Sequence, residues 1–300
     1  MATTTLLNRM PVNLSELEQA SYRFDENLNA AFFYMSPNPR PCFNLNLLKE
    51  LRLFQQTTAQ QVRASLLKKE EPSLKYAVMA SNTPGIFNLG GDLNLFLEYI
   101  RNNDRDALLA YAVACIEIVH QMSISMSLPL TTIALIQGSA QGGGLEAALS
   151  CNVIIAEKGT QMGFPEVLFN LFPGMGAYSF LRQRVNTSLT EHIILSGKIY
   201  SAEELFEYGV VDILAEPGNG EQELQDYIKH ANKRSNAHAL IRHTRSLYNP
   251  ISYKELLDIT SMWVDRAMNI GEREIKTMSR LIRAQDRKMS ALSEQEQCMA

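Results

Sequence analysis

Two apolar runs flank a glycine-rich loop in the middle of the chain, and this arrangement restricts the fold more than any other feature. Residues 132–136 read Thr-Ile-Ala-Leu-Ile, which predicts a short buried strand. Three glycines at 142–144 then open an apolar stretch up to residue 151 that predicts a helix, and a second strand-like run occupies 152–156. Strands and helices that alternate in this way predict an α/β fold.

The same alternation continues on both sides of the glycine loop. Apolar runs at 30–34 and 76–80 predict two further strands, and residues 104–126 carry apolar side chains at helical spacing. Residues 1–25 are polar and mixed, and they are predicted to form an arm or a peripheral strand. A Pro-Gly-Asn-Gly break at 217–220 precedes a charge-rich, helix-patterned tail.

This organisation predicts a core of residues 1–215 that includes the N-terminal arm, followed by a helical region of residues 216–300. The two parts are expected to work as one functional unit.

Charge and cysteine usage exclude several functional classes. The chain has 28 basic and 32 acidic residues and a net charge of −4, so no basic footprint for nucleic acid or an anionic membrane is expected. No stretch of about 18 apolar residues is present to span a bilayer. The start lacks the basic and apolar segments of an export signal. A cytoplasmic protein with reduced thiols is therefore expected, and the scattered cysteines predict no metal site.

The glycine loop is the first candidate for chemistry. Glycines at a strand-to-helix junction let a ligand approach the backbone, and the free N–H groups of a first helical turn favour negative charge. The loop matches neither the phosphate-binding GxxxxGK[ST] pattern nor GxGxxG. A tight packing turn explains the glycines equally well when they are taken alone. Glu146 in the first helical turn adds a carboxylate, although such a position also suits a residue that only complements the helix dipole.

Two further segments are candidates. Glu166 lies in the apolar sequence Met-Gly-Phe-Pro-Glu-Val-Leu-Phe, where Phe164, Val167, Leu168 and Phe169 could bury it. The simpler interpretation is that Glu166 begins a helix after a proline and faces solvent. The segment Phe-Asn-Leu-Gly-Gly-Asp-Leu at 87–93 indicates a turn and a helix N-cap, and it could also offer N–H groups to a ligand oxygen.

Other catalytic chemistries lack their motifs. GxSxG, HExxH and EF-hand patterns are missing from the sequence. The five histidines are scattered and none is adjacent to a glycine loop, so a serine or cysteine nucleophile would have no evident base.

Taken together and in this order, the three segments resemble the crotonase (enoyl-CoA hydratase/isomerase) superfamily. The matching motifs are Leu-Gly-Gly-Asp at 89–92, Gly-Gly-Gly-Leu-Glu at 142–146, and Pro-Glu at 165–166 followed by Pro-Gly-Met-Gly at 173–176. Within the superfamily the sequence is most similar to the diffusible-signal-factor synthases of bacterial quorum sensing. Those enzymes make cis-2-unsaturated fatty acids from 3-hydroxyacyl-carrier-protein by dehydration and thioester hydrolysis.

The resemblance implies specific roles. The catalytic residues would be Glu146 and Glu166, and the oxyanion hole would be the backbone N–H groups of Leu89 and Gly143, with the exact donor within 89–91 left open. The implied substrate-binding residues are Gly90, Gly91, Gly142, Gly174 and Met175. The implied fold is a spiral of ββα units with C-terminal helices that build a homotrimer or a dimer of trimers. No cofactor is implied, since the substrate arrives as an acyl-carrier-protein or CoA thioester. A regulatory sensor or receptor protein is implied as a further partner.

Two carboxyl groups suit this reaction. Elimination of the 3-hydroxyl needs a base for C2–H and an acid for the departing oxygen, and neighbouring buried carboxyls can divide these tasks when their pKa values differ. The sequence leaves open which glutamate is the acid. It also leaves two other readings: an enoyl-CoA hydratase or isomerase of fatty-acid metabolism, and a crotonase-fold module that binds acyl groups without turning them over.

Overall fold

Two β-sheets form the centre of the molecule. The computed structural model describes residues 14–299, so the first thirteen residues of the expected N-terminal arm lie outside the described part. The strands are β1 (Ala20–Asp25), β2 (Ala30–Met35), β3 (Tyr76–Ser81), β4 (Ile86–Asn88), β5 (Thr131–Ile136), β6 (Ser139–Gln141), β7 (Val153–Glu157), β8 (Gln161–Gly163), β9 (Ile199–Ser201) and β10 (Ile213–Ala215). The six-stranded sheet has the order β1-β2-β3-β5-β7-β10, and the four-stranded sheet has the order β4-β6-β8-β9.

Helices surround both sheets. They are α1 (Leu45–Leu67), α2 (Leu93–Arg101), α3 (Arg105–Ser123), α4 (Gly143–Leu149), α5 (Ala177–Arg182), α6 (Thr187–Leu195), α7 (Ala202–Glu207), α8 (Gly220–Lys233), α9 (Ser235–Tyr248), α10 (Tyr253–Ala267) and α11 (Glu272–Met299). Short 3-10 turns occupy Leu14–Glu16, Ser125–Ser127 and Pro165–Phe169. The predicted strands and helices of the central region are all present, and the polar N-terminal segment supplies β1 at the edge of the larger sheet.

The chain repeats one ββα plan. In each of the pairs β3–β4, β5–β6 and β7–β8 the first strand joins the larger sheet, the second joins the smaller one, and helical structure follows. The α/β fold class and the spiral of ββα units are therefore confirmed. The central strands of the larger sheet are buried on both faces, since every residue of β5 is buried and apolar clusters cover both sides. Strands of this kind read as continuous apolar runs rather than alternating ones.

The smaller sheet determines where functional residues meet. Its strands β4, β6 and β8 are parallel neighbours, with Ala140 paired to Asn88 on one side and to Met162 on the other. The carboxyl ends of parallel neighbours lie at one edge of a sheet. The turn after β4, the start of α4 after β6 and the 3-10 turn after β8 consequently lie side by side.

The C-terminal helices differ in how they pack. Leu224 and Ile228 of α8 are buried against the larger sheet, and Met278 and Ile282 of α11 are buried in a cluster with Trp263 of α10. Helix α9 has no buried residue. The boundary at residue 215 stays a prediction, because α8 and α10 pack directly on elements that precede it. Among the helices described, none has both the length and the apolar character required to cross a membrane.

Candidate active site

A cavity of about 190 Å³ lies at the shared edge of β4, β6 and β8. The nine residues expected to form the site all line it: Leu89, Gly90, Gly91, Gly142, Gly143, Glu146, Glu166, Gly174 and Met175. Motifs separated by more than 70 residues of sequence thus come together, because 89–91, 142–146 and 165–166 each follow one strand of the same small sheet. The rest of the wall comes from residues that no motif marked, among them Phe96, Tyr111, Trp263, Leu281, Ala284 and Gln285.

Glu146 is held by the backbone of the opposite wall. Its side chain is 1% exposed, and its Oε1 accepts hydrogen bonds from the Met175 N–H at 2.7 Å and the Ala177 N–H at 2.9 Å. Burial raises the pKa of Glu146 to about 7, and these N–H donors partly oppose the rise. The carboxyl is therefore buried, oriented, and equipped with two groups that stabilise its charged form.

Glu166 lies in a different environment. It follows Pro165 in the 3-10 turn, but the interpretation that it faces solvent is wrong, because its Oε2 is buried. Within residues 14–299 this oxygen finds no hydrogen-bond partner. Burial, together with the neighbouring charge of Glu146, raises the pKa of Glu166 to about 8. A buried carboxyl without donors favours its protonated form.

The apolar surroundings of Glu166 are only partly those expected. Phe164 and Phe169 are buried, whereas Leu168 is 58% exposed and does not help to bury the carboxyl. Gly142 supplies the missing contact, because its backbone lies directly against Glu166 Oε1 and a Cβ there would collide with that oxygen. Gly142 also has φ +51°, a conformation that suits glycine.

The structure corrects one expected oxyanion donor. The Leu89 N–H donates to Pro41 O at 2.8 Å, and the Gly90 N–H donates to Asn88 Oδ1 at 2.8 Å. Neither is free to receive a ligand oxygen. The Gly91 N–H, by contrast, donates no hydrogen bond within the described part of the chain, so the free donor of this turn lies two residues beyond Leu89.

The direction of the Gly91 N–H follows from its peptide plane. Gly90 O accepts a hydrogen bond from the Phe43 N–H at 2.8 Å. In a trans peptide the C=O of one residue and the N–H of the next point in opposite directions. Because Gly90 O points at Phe43, the Gly91 N–H points away from Phe43 and from the isolated β-bridge that these two segments form. The sequence alone could not reveal the direction of the Gly91 N–H, because that direction depends on Phe43, almost fifty residues earlier.

The second expected donor, Gly143, lies at the start of α4. It is the first residue of α4, and the N–H of a first helical residue has no partner inside its helix. Gly90, with φ +93°, packs so closely that a Cβ on it would lie 2.9 Å from Gly143 N. The turn after β4 and the start of α4 are therefore in direct backbone contact, and the N–H groups of Gly91 and Gly143 form the candidate oxyanion hole.

The remaining expected residues connect the site to its surroundings. Met175 contributes its N–H to Glu146, and its Sδ would lie 2.6 Å from a Cβ on Gly143. Gly174 packs against the Trp263 ring, and its carbonyl accepts a hydrogen bond from Thr260 Oγ1 at 2.7 Å. The segment that carries Gly174 and Met175 therefore couples the carboxyl of Glu146 to helix α10.

Comparison with known protein families identifies the family of the chain. The model of the enoyl-CoA hydratase/isomerase family matches residues 48–253, which is more than half of the 300-residue chain. The chain belongs to the enoyl-CoA hydratase/isomerase family. The matched region contains the two glutamates and both candidate oxyanion donors.

Solved structures of family members share the fold. DspI of Pseudomonas aeruginosa is similar with a TM-score of 0.62 and 20% identity, over 89% of this chain and 97% of that one. An enoyl-CoA hydratase from Bacillus halodurans has a TM-score of 0.66 and 20% identity, over 87% and 98%. An enoyl-CoA hydratase/isomerase from Xanthobacter autotrophicus Py2 has a TM-score of 0.68 and 17% identity, over 91% and 96%. At these identities the likeness is one of fold.

Proposed function

We propose that this chain dehydrates a 3-hydroxyacyl thioester and then hydrolyses the thioester, releasing a 2-unsaturated fatty acid. The observation that supports the proposal most is that two carboxyls in one cavity have different hydrogen-bond environments. Glu146 receives two backbone N–H donors, whereas Glu166 Oε2 is buried without any among the described residues. The pair therefore favours one proton, held by Glu166, beside one carboxylate, Glu146.

The dehydration step uses the pair in this state. The substrate carbonyl oxygen accepts hydrogen bonds from the N–H groups of Gly91 and Gly143, which stabilise the negative charge that develops there. The Glu146 carboxylate removes a proton from C2. Glu166 gives its proton to the departing 3-hydroxyl, the C3–O bond breaks, and water and a 2-enoyl thioester result. Glu146 is now protonated and Glu166 is ionised.

Hydrolysis returns the pair to its starting state. The Glu166 carboxylate takes a proton from a water molecule as its oxygen attacks C1, and the same two N–H groups stabilise the tetrahedral oxyanion. Glu146 gives its proton to the thiolate as the C1–S bond breaks. The free acid and the thiol leave, Glu166 is protonated again and Glu146 is again a carboxylate. No serine or cysteine nucleophile is needed.

The substrate class follows from the walls and from the resemblance of the motifs. Phe96, Phe169 and Trp263 present apolar surface to the cavity, which suits an alkyl chain. The motifs resemble diffusible-signal-factor synthases, which act on acyl-carrier-protein thioesters. We therefore propose a cis-2-unsaturated fatty acid signal as the product and acyl-carrier-protein as the preferred carrier.

Mass spectrometry of the reaction tests this function. Purified protein is incubated with defined 3-hydroxyacyl-carrier-proteins and with the matching CoA thioesters, and free 2-enoic acid is the expected product. Rapid reversible hydration of crotonyl-CoA without free acid would instead identify an enoyl-CoA hydratase. Binding of the thioesters with no turnover would identify an acyl-binding module. Either result would overturn the proposal.

Helix α9 supports an oligomer. Its side chains Leu240, Ile241 and Leu247 are between 64% and 70% exposed, which is unusual for a helix whose apolar residues recur along one side. We propose that α9 contributes to a homotrimer or a dimer of trimers. Light scattering of the wild type and of Leu247→Glu measures this, and a monomeric wild type would contradict it.

A further inference from the structure

We propose that Tyr111 is a positioning residue whose hydroxyl holds the Gly91 N–H in its catalytic direction. The inference rests on the proposed use of Gly91 and Gly143 as the oxyanion hole. Tyr111 lies on α3, outside every motif that indicated the site, and its side chain is 3% exposed. Although its ring lines the cavity, its hydroxyl is engaged by two backbone groups, so it acts on the reaction through the backbone of the turn after β4.

The hydroxyl of Tyr111 joins two chain segments. It donates to Phe43 O at 2.5 Å and accepts from the Asp92 N–H at 3.1 Å. Phe43 belongs to the segment before α1, and Asp92 is the N-cap of α2. One side chain thus satisfies a carbonyl on the first segment and an N–H on the second.

The two joined segments are the ones that orient Gly91. Phe43 uses its own N–H to hold Gly90 O, and this contact directs the peptide that carries the Gly91 N–H. Asp92 is the next residue after Gly91. Tyr111 therefore binds the chain on both sides of the Gly90–Gly91 peptide: directly at Asp92, and through Phe43 at Gly90.

The chemistry of a neutral phenol suits this position. A hydroxyl donates and accepts at once, which the two contacts require, and a phenylalanine ring of the same shape would do neither. Burial raises the pKa of Tyr111 well above its usual value, so the hydroxyl keeps its proton. The ring packs edge-on against Phe96 at 5.4 Å between centroids, which fixes the direction of the hydroxyl.

Positioning matters because an oxyanion donor works only in the correct direction. Such donors must lie within about 3 Å of the developing oxyanion and must not need to rearrange during the reaction. Gly91 has no side chain to restrict its backbone, so its peptide depends on its neighbours. Removal of the Tyr111 hydroxyl leaves Phe43 O and the Asp92 N–H without this partner, so the Phe43–Gly91 bridge alone restrains the peptide and its direction becomes less fixed.

The experiment compares Tyr111→Phe with Tyr200→Phe. Tyr200 is a matched control, since it is 1% exposed, its hydroxyl lies 3.0 Å from Ser196 Oγ, and it lies outside the cavity wall. For Tyr111→Phe we expect kcat for the acyl thioester to fall roughly tenfold or more while KM changes little, because misdirected donors reduce transition-state stabilisation rather than binding. Tyr200→Phe should keep the wild-type kcat.

A spectroscopic probe separates this inference from the proposed reaction. A 4-dimethylaminocinnamoyl thioester absorbs at longer wavelength when its carbonyl oxygen is polarised, and its binding requires no turnover. We expect a red shift on the wild type and on Tyr200→Phe and a smaller shift on Tyr111→Phe. A red shift with no release of free acid from any substrate would overturn the proposed hydrolysis and leave the oxyanion hole intact.

Rescue by a similar side chain completes the test. 4-Aminophenylalanine at position 111 restores a donor and a weaker acceptor, so its band shift should lie between those of the wild type and Tyr111→Phe. This variant also replaces Tyr111→Phe as the test if the latter does not fold. A shift equal to that of the wild type in every folded Tyr111 variant would overturn the positioning role.

Discussion

The floor and the roof of the cavity are built in different ways. The floor consists of the residues that follow β4, β6 and β8, namely 89–91, 142–146 and 165–166, and backbone hydrogen bonds orient the Glu146 carboxyl and the turn that carries Leu89 and Gly90. The roof consists of Trp263 on α10 and Leu281, Ala284 and Gln285 on α11. Side-chain packing and the Arg40–Asp286 ion pair hold the roof in place.

This difference separates the groups that carry out the reaction from the surface that accommodates the acyl chain. A group that moves protons or stabilises an oxyanion must be held in one direction, and backbone contacts within a packed sheet provide that restraint. A surface that accepts an alkyl chain needs only shape and apolar character, which side chains on a helix supply. Changes in the floor should therefore alter turnover, and changes in the roof should alter which substrate fits and how tightly.

The largest effect is expected from the carboxyls of the floor. Glu146→Gln and Glu166→Gln keep the size of the side chain but remove its capacity to exchange a proton, so each should lower kcat by about 10²–10⁴-fold. Release of free 2-enoic acid from a 3-hydroxyacyl-carrier-protein, followed by mass spectrometry, measures the loss.

Glu191→Gln is a suitable control for these two variants, because Glu191 is an exposed carboxyl of α6 outside the cavity. It should keep wild-type turnover. Full activity in either cavity variant would remove that glutamate from the mechanism.

The pH dependence of the reaction should follow the same pair. Both pKa values are raised above the ordinary carboxyl value of 4.5, that of Glu146 to about 7 and that of Glu166 to about 8. Activity requires Glu146 ionised and Glu166 protonated. The value of kcat/KM should therefore fall below about pH 7 as Glu146 gains a proton and fall above about pH 8 as Glu166 loses one.

A profile that stays flat from pH 5 to pH 9 would contradict the assignment of acid and base. So would a profile whose only inflection lies near 4.5, the value of an unperturbed carboxyl. The measurement needs a substrate without groups that titrate in this range, so that the inflections belong to the enzyme.

The floor was largely predictable from sequence and the roof was not. Glycine runs beside glutamates leave a local signature, and the ββα plan brings such signatures to one sheet edge. Leu89 was the exception, since the free N–H belongs to Gly91 and depends on distant contacts from Pro41 and Phe43. Trp263 and Leu281 looked like ordinary apolar helix positions, because the packing of helices against a cavity leaves no motif.

A moderate effect is expected at the roof. Ala284 lines the cavity but is exposed, so Ala284→Leu should fold normally and narrow the entrance. One methylene in an apolar pocket is worth about 1–3 kcal/mol, so kcat/KM for long acyl chains should fall by about tenfold or more. Short chains should be nearly unaffected. Ala110→Leu, at an exposed position of α3, is the matched control, and an equal loss for all chain lengths would refute the role in fit.

The smallest effect is expected from the contact that ties the roof to the floor. Arg40 Nε lies 2.6 Å from Asp286 Oδ1 on α11. Arg40 directly precedes Pro41, whose carbonyl accepts a hydrogen bond from the Leu89 N–H. Both side chains are partly exposed, so Asp286→Asn should cost less than about 1 kcal/mol of stability. Hydrogen exchange in the last turns of α11 should nevertheless quicken, and KM for long chains should rise slightly while kcat stays the same.

Asp265→Asn, which weakens the exposed Arg105–Asp265 pair, should leave KM unchanged. If Asp286→Asn lowered kcat instead of raising KM, the roof would take part in the chemistry and the division between floor and roof would fail.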